Sequence, residues 1–144
     1  MKLRILDTDH ISLILRGNLQ VIDRLETLDS IEWAITIVSV QEIFNGWIVR
    51  LNDPRNQHRE VELYTFFWES NHFFKQAQIL NFDASAQAQY DRLRQGSSTL
   101  NKRRLEKDLK IASIALVNQA TIVTRNQRDF QLVPNLHLEN WLPD

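Results

Sequence analysis

The sequence predicts an α/β fold on a mainly parallel sheet, and three observations carry that prediction. Short apolar runs at 2–6, 32–38 and 120–124, partly β-branched, stop at polar residues as buried strands do. Between them, longer stretches repeat apolar residues at helical spacing. Finally, 144 residues at 43% hydrophobic can bury an ordinary core, which suits a single domain over 1–144. Strands alternating with helices give a parallel sheet joined by right-handed crossovers.

The first run ends at Asp7-Thr8-Asp9. Either carboxylate can cap the helix that Ile11, Leu13, Ile14 and Leu15 begin and Gly17 halts. Leu19, Val21, Ile22, Leu25 and Leu28 predict a second helix over 19–29. The second strand is followed by Ser39, an expected N-cap for a helix whose apolar face is Val40, Ile43, Phe44, Trp47, Ile48 and Leu51. Glu42 lies well off that face, pointing either to solvent or into a cleft. Residues 52–56 read as a turn and 56–75 as an aromatic-rich helix, expected to serve as core and partner surface. Residues 78–80 are a weak strand, Asp83 caps a helix to about Leu93, and 95–99 form a loop. The helix from Leu105 to Asn118 is apolar nearly all round and so central, with Asp108 in its first turn. A last strand ends at Thr124, and Leu136-His-Leu-Glu precedes Trp141 near the end.

Composition narrows the chemistry. The lack of Cys excludes disulfides, thiolate zinc sites and a Cys nucleophile. No apolar run approaches the roughly 18 residues of a membrane span, and no basic leader precedes an apolar core, so a soluble, unexported, cytoplasmic chain is expected. A net charge of −1 argues against holding nucleic acid by bulk charge alone. Lys102, Arg103, Arg104, Lys107 and Lys110 form a local basic cluster, either a solvated surface or a contact for RNA phosphate. His10 is expected to be a satisfied surface residue.

The candidate site residues are acids near strand ends or helix starts on one sheet edge: Asp7, Glu42, Asp108 and Asp129. In a parallel sheet, that edge is where ligands and catalytic groups gather. Carboxylates hold hard divalent cations, which supply an acidified water and charge neutralisation for phosphodiester cleavage. Each acid also has an ordinary explanation. Asp7 can simply cap a helix, Glu42 can be a surface residue, Asp108 suits the helix macrodipole, and Asp129 can be a loop acid.

Five motifs decide between these readings. Leu6-Asp7-Thr8-Asp9, Ser39-Val-Gln-Glu42-Ile-Phe-Asn-Gly46 and Asp108-Leu-Lys-Ile111-Ala112-Ser-Ile-Ala115 come in order. Thr124-Arg-Asn126-Gln-Arg-Asp129-Phe130 and His137-Leu-Glu139-Asn-Trp141 follow. Together they resemble the PIN-domain ribonucleases of the VapC toxin type, nearly end to end. The resemblance implies a three-layer α/β/α fold and RNA cleavage dependent on Mg²⁺ or Mn²⁺. It also implies a cognate antitoxin and a homodimer. It assigns Asp7 and Asp108 as principal metal ligands, Glu42 and Asp129 as completing the acidic site, and Thr8, Asp9, Thr124 and Asn126 as its supporting residues. Two departures stand out: Asp9 replaces the commoner Asn, and Arg104-Leu105 stand where Ile-Gly is usual. Two other functions compete. One is a PIN-fold binding module without chemistry. The other is a haloacid-dehalogenase-type phosphatase with Asp7 as nucleophile and Asp9 as acid/base.

Overall fold

A computed structural model describes residues 2–142 and shows five strands, all parallel, in one sheet. Strand β1 (Arg4–Leu6) leads to helices α1 (Thr8–Leu15) and α2 (Leu19–Glu26), then to β2 (Trp33–Thr36). Helices α3 (Ile37–Asn52) and α4 (Glu60–Gln76), with a short 3-10 segment between them, precede β3 (Ile79–Leu80). Helices α5 (Ala84–Gly96) and α6 (Glu106–Val117) return the chain to β4 (Thr121–Val123), and the one-turn α7 (Gln127–Phe130) leads to β5 (His137–Glu139).

The spatial order is β3-β2-β1-β4-β5. The chain therefore winds outward from β1 on one side, then restarts at β4 on the other. Between β1 and β4 the winding reverses, and beyond the carboxyl ends of those two strands lies the crevice where such sheets bind ligands.

Alternation along the strands divides the core in two. Ile5, Ala34 and Ile122 face a layer built from α5 and α6, while Leu6, Ile35 and Val123 join residues of α1 through α4. This is the expected three-layer arrangement. Helix α6 is the central one, with Leu109 and 111–115 all buried.

Several boundaries differ from the sequence expectation, and one helix was not expected. The β-branched run Thr36-Ile37-Val38 reads as strand, yet Thr36 is itself the cap of α3, its hydroxyl accepting from Ser39 N at 3.2 Å. Ser39 is thus a buried residue of the first turn rather than the cap. Pro54 opens a 3-10 segment, Pro54–Arg59, capped by Asp53, so α4 starts later than position 56. Helix α7 was not expected, being one turn with a polar sequence. Val61, Tyr64 and Trp68 of α4 stand out into solvent, while Leu63 and Phe74 are buried. Among the described residues no helix is long and apolar enough to cross a membrane.

Candidate active site

Asp7 is the first residue beyond β1, and its backbone N–H bonds Val123 of β4 at 3.1 Å. It does what the bland explanation says: Oδ1 caps α1 by accepting from His10 N at 2.8 Å. It also sits, only 5% exposed, at the reversal point of the sheet, so capping and site membership are compatible.

Glu42, in the second turn of α3, points into the cleft. Its Oε1 accepts from the Thr8 hydroxyl at 2.7 Å, and Thr8 Oγ1 lies 2.9 Å from Ser39 Oγ. The helix therefore delivers its one acid to the first residue of α1, beside Asp7.

Asp108 enters from the first turn of α6. Asn126, just past β4, donates through Nδ2 to Asp108 Oδ2 and to Asp129 Oδ2, each at 3.2 Å. Asn126 is held in turn by its backbone N–H, which donates to Thr124 Oγ1 at 2.8 Å, and Thr124 is fully buried. Thr8 and Asn126 therefore bond the acids directly, and Thr124 holds Asn126 in place.

The electrostatics mark Asp108 out. Burial raises its carboxyl, and the fields of Glu42, Asp7 and Asp129 raise it further, to about 6, against a single lowering hydrogen bond from Asn126. Three other acids thus act on one half-buried carboxylate. Asp129 behaves differently. Burial pulls it up, but hydrogen bonds from Asn126 and Arg104 outweigh that and hold it below the ordinary value. Arg104 Nη1 lies 3.2 Å from Asp129 Oδ1, so both oxygens of Asp129 are engaged. The residue standing in place of the usual Ile-Gly is thus a counter-charge to the fourth acid.

Asp9 is not brought to the other acids. It turns outward and receives Arg125 Nε at 2.7 Å and Nη2 at 3.2 Å. Its extra charge is compensated locally, and Asp7 lacks the acid/base neighbour that a phosphatase of the Asp-x-Asp type needs. His10 corrects the expectation of a surface residue. It is fully buried, with Nδ1 3.3 Å from Asp7 Oδ1 and its ring edge-on to Trp141 at 6.3 Å. Only its position directly after the acids hinted at this. The basic cluster is mostly folded back. Arg104 pairs with Asp129, Lys107 bonds Gln41 at 3.0 Å, and Lys110 bonds Glu106 at 2.9 Å.

The donor set suits a hard divalent cation in kind: carboxylate oxygens, one of them raised by the field of the others, backed by neutral amide and hydroxyl groups. In placement it is not drawn together. Among the described residues no group of three or more His, Cys, Asp or Glu could hold a metal ion as it stands.

No family model matches the chain. Over 72 residues it is 39% identical to ribonuclease VapC2 of Rickettsia felis, a stretch making up 48% of this chain and 52% of that protein. The chain thus matches about half the length of this curated relative. In fold it is similar to VapBC2 from Rickettsia felis bound to a DNA fragment from the promoter. That match has a TM-score of 0.76 and 24% identity, and it covers 97% of this chain and 99% of the other. VapBC-1 from nontypeable Haemophilus influenzae gives a TM-score of 0.76 at 17% identity, covering 96% and 98%. The resemblance carried by the five motifs is therefore matched by a sequence relative over half the chain and by the fold over nearly all of it.

Proposed function

We propose that this chain is a metal-dependent endoribonuclease, the toxin of a toxin–antitoxin pair. The observation that carries the reading is Asp108, held at the reversal point of the sheet under the combined field of Glu42, Asp7 and Asp129. A fold tolerates such repulsion where a cation relieves it. The relative named a ribonuclease supports the choice of reaction.

Asp7 and Asp108 are the principal ligands in this reading, as the resemblance assigns them, and each is oriented through one oxygen, by His10 N and by Asn126 respectively. Glu42, steered by Thr8, completes the set, and Asp129, already bound by Arg104, contributes least. A bound Mg²⁺ or Mn²⁺ supplies phosphate charge neutralisation and an acidified water. The chain's own part is to fix the acids on rigid strand and helix ends. Through Thr124 and Asn126 it holds the Asp108 carboxylate in one orientation. The substrate is RNA, and a cognate antitoxin restrains the toxin in the cytoplasm. A homodimer uses the exposed aromatic side of α4.

Purified protein incubated with single-stranded RNA and Mg²⁺ should yield internal cleavage that EDTA abolishes. Asp7→Asn and Asp108→Asn should each remove it. Undiminished cleavage by either variant, or by EDTA-treated protein, contradicts the proposal. The reading of a binding module without chemistry draws on the loose spacing of the acids, and it predicts RNA left intact at every metal concentration.

A further inference from the structure

Thr8 and Glu42, which belong to the acidic edge, also form part of the wall of a cavity of about 330 Å³ bounded by α1, α3 and α4. One turn beyond Glu42 on α3 stand Gly46 and Trp47. The Trp47 indole is fixed: Nε1 donates to Ser70 Oγ at 3.0 Å, and one neighbour, Phe66, stacks on it at 5.7 Å and 22°. The Arg50 guanidinium lies over the same indole, 5.1 Å from its centre.

Gly46 is the informative residue. It sits inside a helix, where glycine costs about 1 kcal/mol relative to alanine, and it is not among the residues with positive φ. A Cβ there would meet Arg50 Nη1 at 3.2 Å. The glycine thus lines the cavity without a side chain and lets the guanidinium settle close against α3 where it folds back over Trp47.

Resting on the ribonuclease reading, we propose that this cavity receives the base of one unpaired nucleotide of the RNA, next to the phosphate presented to the acids. The base stacks on the Arg50–Trp47 platform. Three features favour this occupant. The volume lies at the small end of ligand pockets and suits a group of nucleotide size. A flat guanidinium backed by an aromatic ring is a surface on which unstacked bases settle. The lining also carries Arg16, Arg50, Glu42 and Glu69, charges that an apolar peptide segment would bury unpaired but that base edges and phosphate can satisfy. A chain with net charge −1 cannot hold RNA by bulk attraction and needs such a local contact.

The test compares nucleoside 5′-monophosphates with ribose 5-phosphate, titrated into metal-free protein and followed by NMR at the Trp47 indole N–H. The expected result is that at least one nucleotide binds about tenfold more tightly than ribose 5-phosphate, the contribution of one stacked base, and shifts the Trp47 signal. Gly46→Leu should reduce that ratio to about one. Arg50→Ala, which leaves the helix glycine in place, should lower it in the same direction. A ratio near one in the wild type, as expected if the cavity serves a protein segment, overturns the inference. So does tight binding that leaves Trp47 unmoved. Neither outcome touches the ribonuclease reading, which the cleavage assay decides separately.

Discussion

Two carboxylates near the strand ends of this sheet meet opposite environments. Glu139, on β5, receives Trp141 Nε1 at 2.9 Å, Arg4 Nε at 3.1 and 3.2 Å, and Arg24 Nη2 at 3.0 Å. Burial raises it, but those donors outweigh burial and hold the carboxyl below its ordinary value. Asp108 has one amide donor and three acidic neighbours, and burial together with their fields raises it to about 6. The first arrangement ties β5 to β1 and α2 and needs nothing further. The second is left short of positive charge by the fold. The difference separates an acid that holds the structure from one available to a ligand.

The sharpest way to break this contrast is to neutralise the acids and measure cleavage. Asp7→Asn and Asp108→Asn should each lower RNA cleavage by well over a hundredfold. That exceeds the roughly 10–100-fold typical of losing an outer partner of a metal ligand. Asn126→Ala should fall within that lower range, because it orients Asp108 without replacing it. Asp129→Asn should cost less than Asp7→Asn, since both of its oxygens are already engaged.

Stability should move in opposite senses for the two carboxylates. Glu139→Gln should destabilise the protein by about 1–2 kcal/mol in urea unfolding, discounted for the partial exposure of its arginine partners. Asp108→Asn should stabilise the metal-free protein at pH 7 by about 1 kcal/mol, also discounted for exposure. The pH dependence follows from the raised carboxyl. Unfolded Asp108 titrates at about 3.9, and folded Asp108 at about 6, so the folded chain retains the proton between those values. Stability from this group is full below about pH 4 and is lost as pH rises through about 6. Unfolding of metal-free wild type and Asp108→Asn, compared from pH 4 to 7, should diverge across that window. Parallel curves would remove the electrostatic argument. The smallest effect belongs to Asp9→Asn, which breaks an exposed pair with Arg125 and should change stability by less than about 0.5 kcal/mol.

Much of the architecture was legible because it follows from periodicity. The strand ending at Asp7 and the all-round apolar helix carrying Asp108 can each be read from a few consecutive residues. Boundaries set by side-chain caps could not: Thr36 has a strand former's shape, and only its hydroxyl on Ser39 N ends the strand there. One-turn α7 is too short and too polar to show any period, whereas two-residue β3 was marked only weakly, by the apolar pair Ile79-Leu80. At the candidate site, the sequence names candidate acids but not the directions of their side chains. Glu42 turns inward because Thr8 meets it from 34 residues away in sequence. Asp9 turns outward because Arg125 meets it from 116 residues away. Long-range partners of this kind leave no local trace, and the burial of His10 against Trp141 is another case.

In the proposed reading, a divalent cation relieves the repulsion around Asp108. Thermal unfolding of the wild type and of Asp108→Asn across a Mg²⁺ titration tests it most directly, because a ligand that binds only the folded state raises the melting temperature. The melting temperature should climb with Mg²⁺ in the wild type and stay flat in Asp108→Asn. An equal rise in both proteins, or no rise in either, would contradict it.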